Sequence, residues 1–414
     1  MELEKRLNFG MAGVDWEERI NFDRMRKERL QKTKDTMAKY GFDAAFVQGE
    51  NVRYALGMRT SMPHCALIFA DDREPFVFMR SEHAENVQIR CPWMNPDHVK
   101  GFPIIERVGG PEAYKDSVEV LVNLVNDALK SANFGATEVL GYAANPADVG
   151  KGLTEKGWNV KPLGEVMDEA REIKTADEVN CLRMVGCLAD AAWCRIFDAV
   201  RPGVTDCEAA AAGRNYLVSK GSWNFNISLR TGPNAYPNWG LQTDRIMQVG
   251  DVGYGYIMGD LYMGYNACYH RSFSVGVEPN QKQKDWYRFC YDRLLKIQDA
   301  IKIGNSTADV AMEMPTCEEL GLEYEWEVGS NWICHGVGVG AHDRPNISRF
   351  WSIPHPLEIK EGQCIAIHTC YGERGVGGVR IENIGVVTKD GWENFFCLPY
   401  DGIFVPEYQL KTCM

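Results

Sequence analysis

The chain has 414 residues, 45% of them apolar and 25% charged, and its formal net charge at pH 7 is −12. This length and composition predict a globular protein with room for two domains, and the negative charge argues against a nucleic-acid partner, because phosphate binding needs basic patches. No apolar stretch reaches the roughly 18 residues of a membrane span, and the charged start MELEKRLNFG lacks the apolar run of a secretory signal. The fourteen cysteines form no CxxC pair, which favours a cytoplasmic location.

The first part of the chain alternates helical and strand-like segments. Apolar residues at roughly helical spacing predict a helix over residues 16–40, and GFDAAFV directly afterwards predicts a strand. Two apolar runs between residues 64 and 79, separated by a polar turn, predict a hairpin. An amphipathic segment and two short strands follow between residues 110 and 165. Together these elements predict an α/β domain over residues 1–165.

Two capping boxes mark the start of the next part. Thr175 with Glu178 predicts a helix that runs to about Val200, and Thr205 with Glu208 predicts another directly after it. The stretch VRPGVTDCEAA, which contains the second box, resembles IKIGNSTADVA further along the chain, since each combines a helix end, a glycine, a cap and a new helix. Such a repeat suggests two pseudo-symmetric halves.

Three later stretches contain the residues that could carry chemistry. They are GDVGYGYIMGDLYMGYNACYHRSFSVG at 250–276, HGVGVGAHDRP at 335–345, and a region at 361–391 that contains IAIHT and VRIEN. In this order they resemble the metal-binding strands of the creatinase/prolidase/aminopeptidase P family, whose catalytic domain has the pita-bread fold. ENVRYALGMRT at 50–60 resembles the N-terminal domain of the same family.

This resemblance covers nearly the whole chain and implies a fold. The expected class is α/β (α+β), with a creatinase-like N-terminal domain at 1–165 and a pseudo-symmetric pita-bread domain at 166–414. In family dimers the N-terminal domain reaches over the catalytic pocket of the partner subunit. The resemblance therefore also implies a homodimer.

The family holds two divalent metals with Asp, Asp, His, Glu and Glu, and this sequence departs from that set. The matching positions here, in chain order, are Ile257, Cys268, His335, His368 and Glu382. An isoleucine cannot bind a metal, which favours a site without metals, as in creatinase. However, the first aspartate serves only one of the two metals, and the other four positions all retain side chains able to bind the second.

A thiolate, two imidazoles and a carboxylate suit a single Zn²⁺ or Fe²⁺. We therefore expect one divalent transition metal at Cys268, His335, His368 and Glu382, and no organic cofactor. With a single metal, the two-metal peptidase mechanism is in doubt.

Several other positions gain an expected role from the resemblance. His342 matches the second histidine of the family, which contacts substrate and stabilises developing charge; the alternative is a packed strand histidine. Arg344 and Arg380 lie near the site by motif, and Arg380 could equally be a structural partner of an acidic neighbour. His270 lies two residues after Cys268, so on a strand it should share the same face and could act as an outer partner of the site.

The segment TGPNAYPNWG departs from relatives that have a histidine there for proton transfer. Here the run contains Asn238 and Trp239, and it resembles the dimethylsulfoniopropionate lyase branch of the family. Trp239 would then line a box for a cationic or apolar substrate, against the alternative of simple packing. In the N-terminal domain, Arg53 or Arg59 is the candidate clamp for a substrate carboxylate, and Tyr54 is a further candidate substrate-binding residue.

These observations lead to one main function and two alternatives. The main prediction is a metal-dependent hydrolase or lyase that cleaves a C–N or C–S bond in a small polar carboxylate. The first alternative is an Xaa-Pro peptidase of the aminopeptidase P or prolidase type. The second is a metal-free, creatinase-like amidinohydrolase or a non-catalytic binding protein on the same scaffold.

Overall fold

The structure is a computed structural model that describes residues 20–58, 64–103, 105, 107–237 and 243–406. The chain forms two compact units, one over Asn21–Arg171 and the other from Glu172 onwards. The predicted ranges 1–165 and 166–414 place this division a few residues earlier. Among the described residues, no helix is both long enough and apolar enough to cross a membrane.

The first unit is built around a six-stranded sheet. Its strands follow the order β4-β3-β2-β1-β5-β6, in which β1–β2 and β2–β3 are antiparallel and the other neighbours are parallel. The predicted hairpin is the β2–β3 pair. The elements are α1 Phe22–Lys39, β1 Ala44–Gln48, α2 Glu50–Leu56, β2 His64–Phe69, β3 Phe76–Arg80, α3 Ser81–Arg90, β4 Val99–Phe102, α4 Pro111–Ser131, β5 Val139–Ala143, α5 Ala147–Glu155, β6 Asn159–Pro162 and α6 Val166–Glu172.

The second unit is built around an eight-stranded sheet with the order β11-β10-β12-β13-β9-β8-β7, and the last strand, β14, pairs with β13. Its neighbouring strands are antiparallel. The elements are α7 Ala176–Ala199, α8 Asp206–Ser219, β7 Asn224–Thr231, β8 Val252–Tyr262, β9 Tyr265–Ser274, α9 Gln281–Ala300, α10 Thr307–Met312, α11 Cys317–Leu320, α12 Glu325–Val328, β10 Ile333–Gly336, β11 Asp343–Ile347, α13 Arg349–Ser352, β12 Cys364–Glu373, β13 Gly377–Thr388 and β14 Gly391–Asn394.

The two halves of this sheet repeat one arrangement. Helices α7 and α8 precede β7, β8 and β9, which lie side by side, and helices α9 and α10 precede β10, β12 and β13, which also lie side by side. The strands β9 and β13 meet at the centre. Both predicted capping boxes are present, since Thr175 and Thr205 each accept a hydrogen bond from the backbone N–H three residues later. The repeated motif therefore marks the second helix of each half, as the sequence predicted.

Each central strand has one face toward the helices and one face away from them. On β12 and β13, Ile365, Ile367, Val379 and Ile381 belong to the core cluster that also contains Trp286 and Leu294 of α9. The residues between them therefore point to the opposite face, because side chains alternate along a strand. We call this opposite face the site face, because it carries the chemically active side chains.

Candidate metal centre

Strand register places five chemically active side chains close together on the site face. His368 on β12 is directly opposite Glu382 on β13, and Glu382 is directly opposite His270 on β9. Cys268 lies two residues before His270 and therefore shares its face. His335 on β10 pairs with Ala366, two residues from His368, and so joins the same group.

Cys268, His335, His368 and Glu382 bring one ligand atom each to a common point. These four atoms all lie within 4.8 Å of one another, and all four residues are buried. The Cys268 Sγ atom lies 3.6 Å from Nε2 of each histidine, and the two Nε2 atoms are 3.0 Å apart. Within the described ranges, no other group of three or more Cys, His, Asp or Glu residues could hold a metal ion. The four residues that the sequence singled out are thus the ones that the fold assembles.

The chemistry of these donor atoms fits a metal ion. Nδ1 of His335 faces the carbonyl oxygen of Gly336 at 3.0 Å, and a carbonyl can only accept a hydrogen bond. Nδ1 therefore carries the proton, and Nε2 presents its lone pair to the cluster, as in ligating histidines. Tetrahedral zinc bonds of the usual lengths imply ligand–ligand separations of roughly 3.4–3.7 Å. The pairs around His335 lie at 3.0 to 4.0 Å, whereas Nε2 of His368 and Oε1 of Glu382 are in closer contact and would have to move apart around an ion.

Burial controls the protonation of the site. It raises the pKa of the Cys268 thiol well above its usual range, with Glu382 adding to the effect, and it lowers the pKa of His335 to about 3. Burial also opposes ionisation of Glu382, but His368 and His270 outweigh it and hold the pKa of its carboxyl well below normal. Glu382 is thus ionised and His335 neutral at pH 7, while the thiol would lose its proton on binding a metal.

His342 closes the cluster on its exposed side. Its ring stacks on that of His335, with centroids 3.9 Å apart and planes 9° apart, although the residue itself is exposed. Desolvation, followed by the neighbouring His368, lowers the pKa of His342. The ring is therefore neutral at pH 7 and accessible to a substrate that reaches the cluster.

Close backbone packing positions the segment that carries His342. A Cβ atom on Gly336 would lie 2.2 Å from the carbonyl oxygen of Arg344, so this position requires glycine. The neighbouring Asp343 is buried and forms an ion pair with the buried Lys174, at 3.2 Å between Oδ2 and Nζ. Arg344 itself is partly exposed. No local motif in the sequence indicates the Lys174–Asp343 pair, because its members lie far apart in the chain.

His270 and Arg380 lie next to the ligand cluster on the site face. Nδ1 of His270 is hydrogen-bonded to Oε2 of Glu382, so His270 is an outer partner of the cluster. Arg380 is two residues before Glu382 on the same strand, is buried, and has its guanidinium 5.6 Å from the centre of the Tyr254 ring. Tyr254 was not among the predicted site residues, although the alternation of tyrosine along β8 indicates its place on this face.

The position that spacing matched to the first family aspartate faces away from the site. Ile257 is opposite Tyr269 on one side and Ile227 on the other. Tyr269 donates a hydrogen bond to Asp190 of α7, and Ile227 packs close to Gly213 of α8, so this row faces the helices. The strand register thus turns the Ile257 side chain away from the cluster, and the match of this position to the first family aspartate stays a prediction. On the site face, the residue of β8 directly opposite Cys268 is Met258, which is partly exposed.

The remaining predicted residues are placed as follows. Tyr54 is buried in the first unit, where its hydroxyl donates a hydrogen bond to the carbonyl of Ala170. This contact gives Tyr54 a structural role inside its own unit, and its substrate-binding role stays a prediction. Arg53 lies next to it on α2 and is partly exposed. Arg59, Asn238 and Trp239 lie outside the described residues.

The fold and the cluster together define a class of protein. The model of "Metallopeptidase family M24" matches residues 180–389, and that of the "Creatinase/Prolidase N-terminal domain" matches residues 29–173. The first match covers half of the chain. The chain therefore belongs to metallopeptidase family M24, a family of metal-dependent hydrolases, and the predicted family and fold are confirmed.

Individual relatives agree with this assignment. The chain is 24% identical over 370 residues to "Uncharacterized peptidase YqhT" of Bacillus subtilis, covering 88% of this chain and 96% of that protein. It is 26% identical over 339 residues to an "Xaa-Pro dipeptidase" of Lactobacillus helveticus, covering 80% and 85%.

Among solved structures, an Xaa-Pro dipeptidase from Bacillus anthracis has a TM-score of 0.73 at 19% identity, covering 92% of this chain and 99% of that one. The prolidase from Pyrococcus horikoshii has a TM-score of 0.72 at 21% identity, covering 91% and 100%. At these identities the structural likeness establishes the fold alone.

Proposed function

We propose that this chain is a single-metal hydrolase that cleaves a C–N bond in a small peptide-like substrate with a carboxylate. The observation that carries the proposal is the convergence of Cys268, His335, His368 and Glu382 on one point. These four residues would hold the ion, and Zn²⁺ or Fe²⁺ suits this mixture of sulfur, nitrogen and oxygen ligands. When bound, such an ion supplies Lewis acidity and activates water.

The protein's own residues have separate tasks in this reaction. The neutral imidazole of His342, stacked on His335 at the exposed side of the cluster, would donate a hydrogen bond to the carbonyl oxygen of the scissile bond as charge develops there. Arg380 would attract the substrate carboxylate from the same face. The close packing at Gly336 and the ion pair of Asp343 with Lys174 would hold the segment that carries His342 in place.

Relatives support the Xaa-Pro peptidase alternative better than the main prediction. Several are named Xaa-Pro dipeptidases, and none of those above is named as a lyase acting on a C–S bond. The substrate class that we propose is therefore a dipeptide or a related amide. The elimination reaction and the resemblance to the lyase branch receive no support from these relatives.

The proposed function also includes a dimeric assembly and an arginine that binds the substrate carboxylate. We place the protein in the cytoplasm as a homodimer, with Arg53 or Arg59 as the clamp for the substrate carboxylate and Asn238 and Trp239 in the substrate-facing loop. Arg344 would assist at the same site. Gel filtration with light scattering tests the dimer, and Arg53→Ala or Arg59→Ala should raise KM more than it lowers kcat.

The decisive experiment combines metal analysis with a substrate panel. Purified protein should contain about one zinc or iron per chain and should hydrolyse Xaa-Pro dipeptides faster than it releases a thiol or sulfide from C–S substrates. Cys268→Ala should lose both the metal and the activity. A wild-type protein without a transition metal would refute the single-metal hydrolase and favour the metal-free amidinohydrolase or binding protein. Faster release from C–S substrates would refute only the substrate class.

A further inference from the structure

The carboxylate of Glu382 divides its two oxygens between two neighbours. Oε1 faces the ligand cluster, where it contacts Nε2 of His368 and lies 4.0 Å from Nε2 of His335. Oε2 points away from the cluster and is hydrogen-bonded to Nδ1 of His270. Glu382 and His270 are 0% and 1% exposed, so bulk water does not compete for either oxygen.

We propose that His270 is a positioning residue of the metal centre, because its Nδ1–H holds Oε2 of Glu382 and leaves only Oε1 to bind a single ion. This inference rests on the proposed function, since it presupposes an ion at the cluster. His270 itself would bind no metal. It would control how many ligand atoms the protein provides to the ion.

The number of protein ligands matters for catalysis. With one oxygen from Glu382, the protein provides four ligands, and a zinc ion can expand to five to accept a substrate atom. If both oxygens of Glu382 reached the ion, the protein alone would provide five ligands. The bond from His270 therefore keeps a coordination position available to substrate.

The same hydrogen bond acts against a second ion. A second metal beside Glu382 would need Oε2, which His270 occupies. The site face next to His270 carries the aromatic rings of Tyr254 and Tyr256, at 6.0 and 5.7 Å from the imidazole centre. Neither tyrosine offers a carboxylate, so the described surroundings of Oε2 favour a hydrogen bond over a metal.

The surroundings also hold the imidazole of His270 in place. The residue is directly opposite both Tyr256 and Glu382 across the two neighbouring strands. The Tyr256 hydroxyl in turn accepts a hydrogen bond of 3.0 Å from the side-chain amide of Asn226. An outer partner that is fixed in this way orients its ligand, and removal of such partners typically lowers metal affinity by about 10- to 100-fold.

Two amide substitutions separate this role from a general effect on packing. In His270→Asn, the side-chain nitrogen takes the place of Nδ1 and can still donate to Glu382. In His270→Gln, it takes the place of Nε2 and cannot. The probe is Co²⁺ loaded into the metal-free full-length protein, followed by its visible absorption and by competition with a chelator. His64→Leu, at an equally buried histidine of the other unit, is the control.

We expect His270→Asn and His64→Leu to retain the wild-type cobalt spectrum. His270→Gln should show severalfold weaker absorption per cobalt, because four-coordinate cobalt absorbs more strongly than five-coordinate cobalt, and about tenfold weaker affinity or more. His270→Leu is a second test of the lost donor and should behave like the Gln variant. If His270→Gln and His270→Leu both kept the wild-type cobalt spectrum, the role of His270 would be overturned while the proposed function would stand. The same conclusion would follow if His270→Asn lost as much absorption as His270→Gln. A wild-type protein that binds no cobalt would overturn the proposed function as well.

Discussion

The buried ion pair beside the candidate metal centre gives a quantitative prediction. Lys174 and Asp343 have side chains that are 0% and 1% exposed, and their charged atoms are 3.2 Å apart. Replacing Lys174 with Met keeps an unbranched side chain of similar length but removes the charge. The carboxylate of Asp343 is then left buried next to the segment that carries His342.

The expected loss of stability is large. With an effective dielectric constant of about 20, Coulomb's law gives about 5 kcal/mol for unit charges at this distance. Measured costs of breaking a buried pair by removing one partner are about 3–5 kcal/mol. We therefore expect Lys174→Met to destabilise the second unit by about 3–5 kcal/mol. The double variant Lys174→Met/Asp343→Leu, which removes both charges, should recover a large part of this loss.

The assay is urea unfolding followed by tryptophan fluorescence, because Trp193 and Trp332 are buried in this unit and report on its unfolding. Unfolding midpoints of the wild type, both single variants and the double variant form a double-mutant cycle. If Lys174→Met lowered the free energy of unfolding by less than about 1 kcal/mol, as loss of an exposed salt bridge does, the reasoning would be refuted. The reasoning would also be refuted if the double variant were no more stable than Lys174→Met, because the double variant no longer contains the buried charge of Asp343.

Three further predictions concern the metal centre. Cys268→Ala should lower Zn²⁺ affinity strongly, whereas Cys334→Ala, an equally buried cysteine within the hydrophobic core, should not; equal affinities in a chelator titration would contradict the ligand set. Gly336→Ala should destabilise the protein and weaken metal binding, because its Cβ would clash with the carbonyl of Arg344, whereas Gly402→Ala meets no atom within 4 Å and should match the wild type in Tm and metal content. Removing the metal with a chelator should lower Tm, since an ion at about 100 times its Kd adds about 2.7 kcal/mol, and an unchanged Tm would exclude tight binding to the folded state.

Much of the candidate site could be predicted from the sequence because its motifs are local. Cys268, His335, His368 and Glu382 each lie in a short pattern of glycines and alternating apolar residues, and each pattern fixes a position on a strand. The capping boxes at Thr175 and Thr205 are local in the same sense, since the hydrogen bonds join residues three apart. Local patterns of this kind survive in the sequence even where the ligand itself has changed.

Spacing along the chain did not show which way the side chain of Ile257 faces. Ile257 is eleven residues before Cys268, but the face of a strand depends on its register with both neighbours. The pairing of Ile257 with Tyr269 and Ile227 turns it toward the helices. A count along one chain contains no information about that register.

The sequence by itself determined the family, the fold class and the four candidate ligands, because these depend on residue types in short, ordered motifs. Only the tertiary structure decided that His270 binds the outer oxygen of Glu382, and that Lys174 neutralises Asp343. The partners in these contacts are 112 and 169 residues apart in the chain. They meet because β9 and β13 pair at the centre of the sheet, and because the segment before α7 reaches the segment after β10. Such contacts depend on how distant segments pack, which no local pattern in the sequence records.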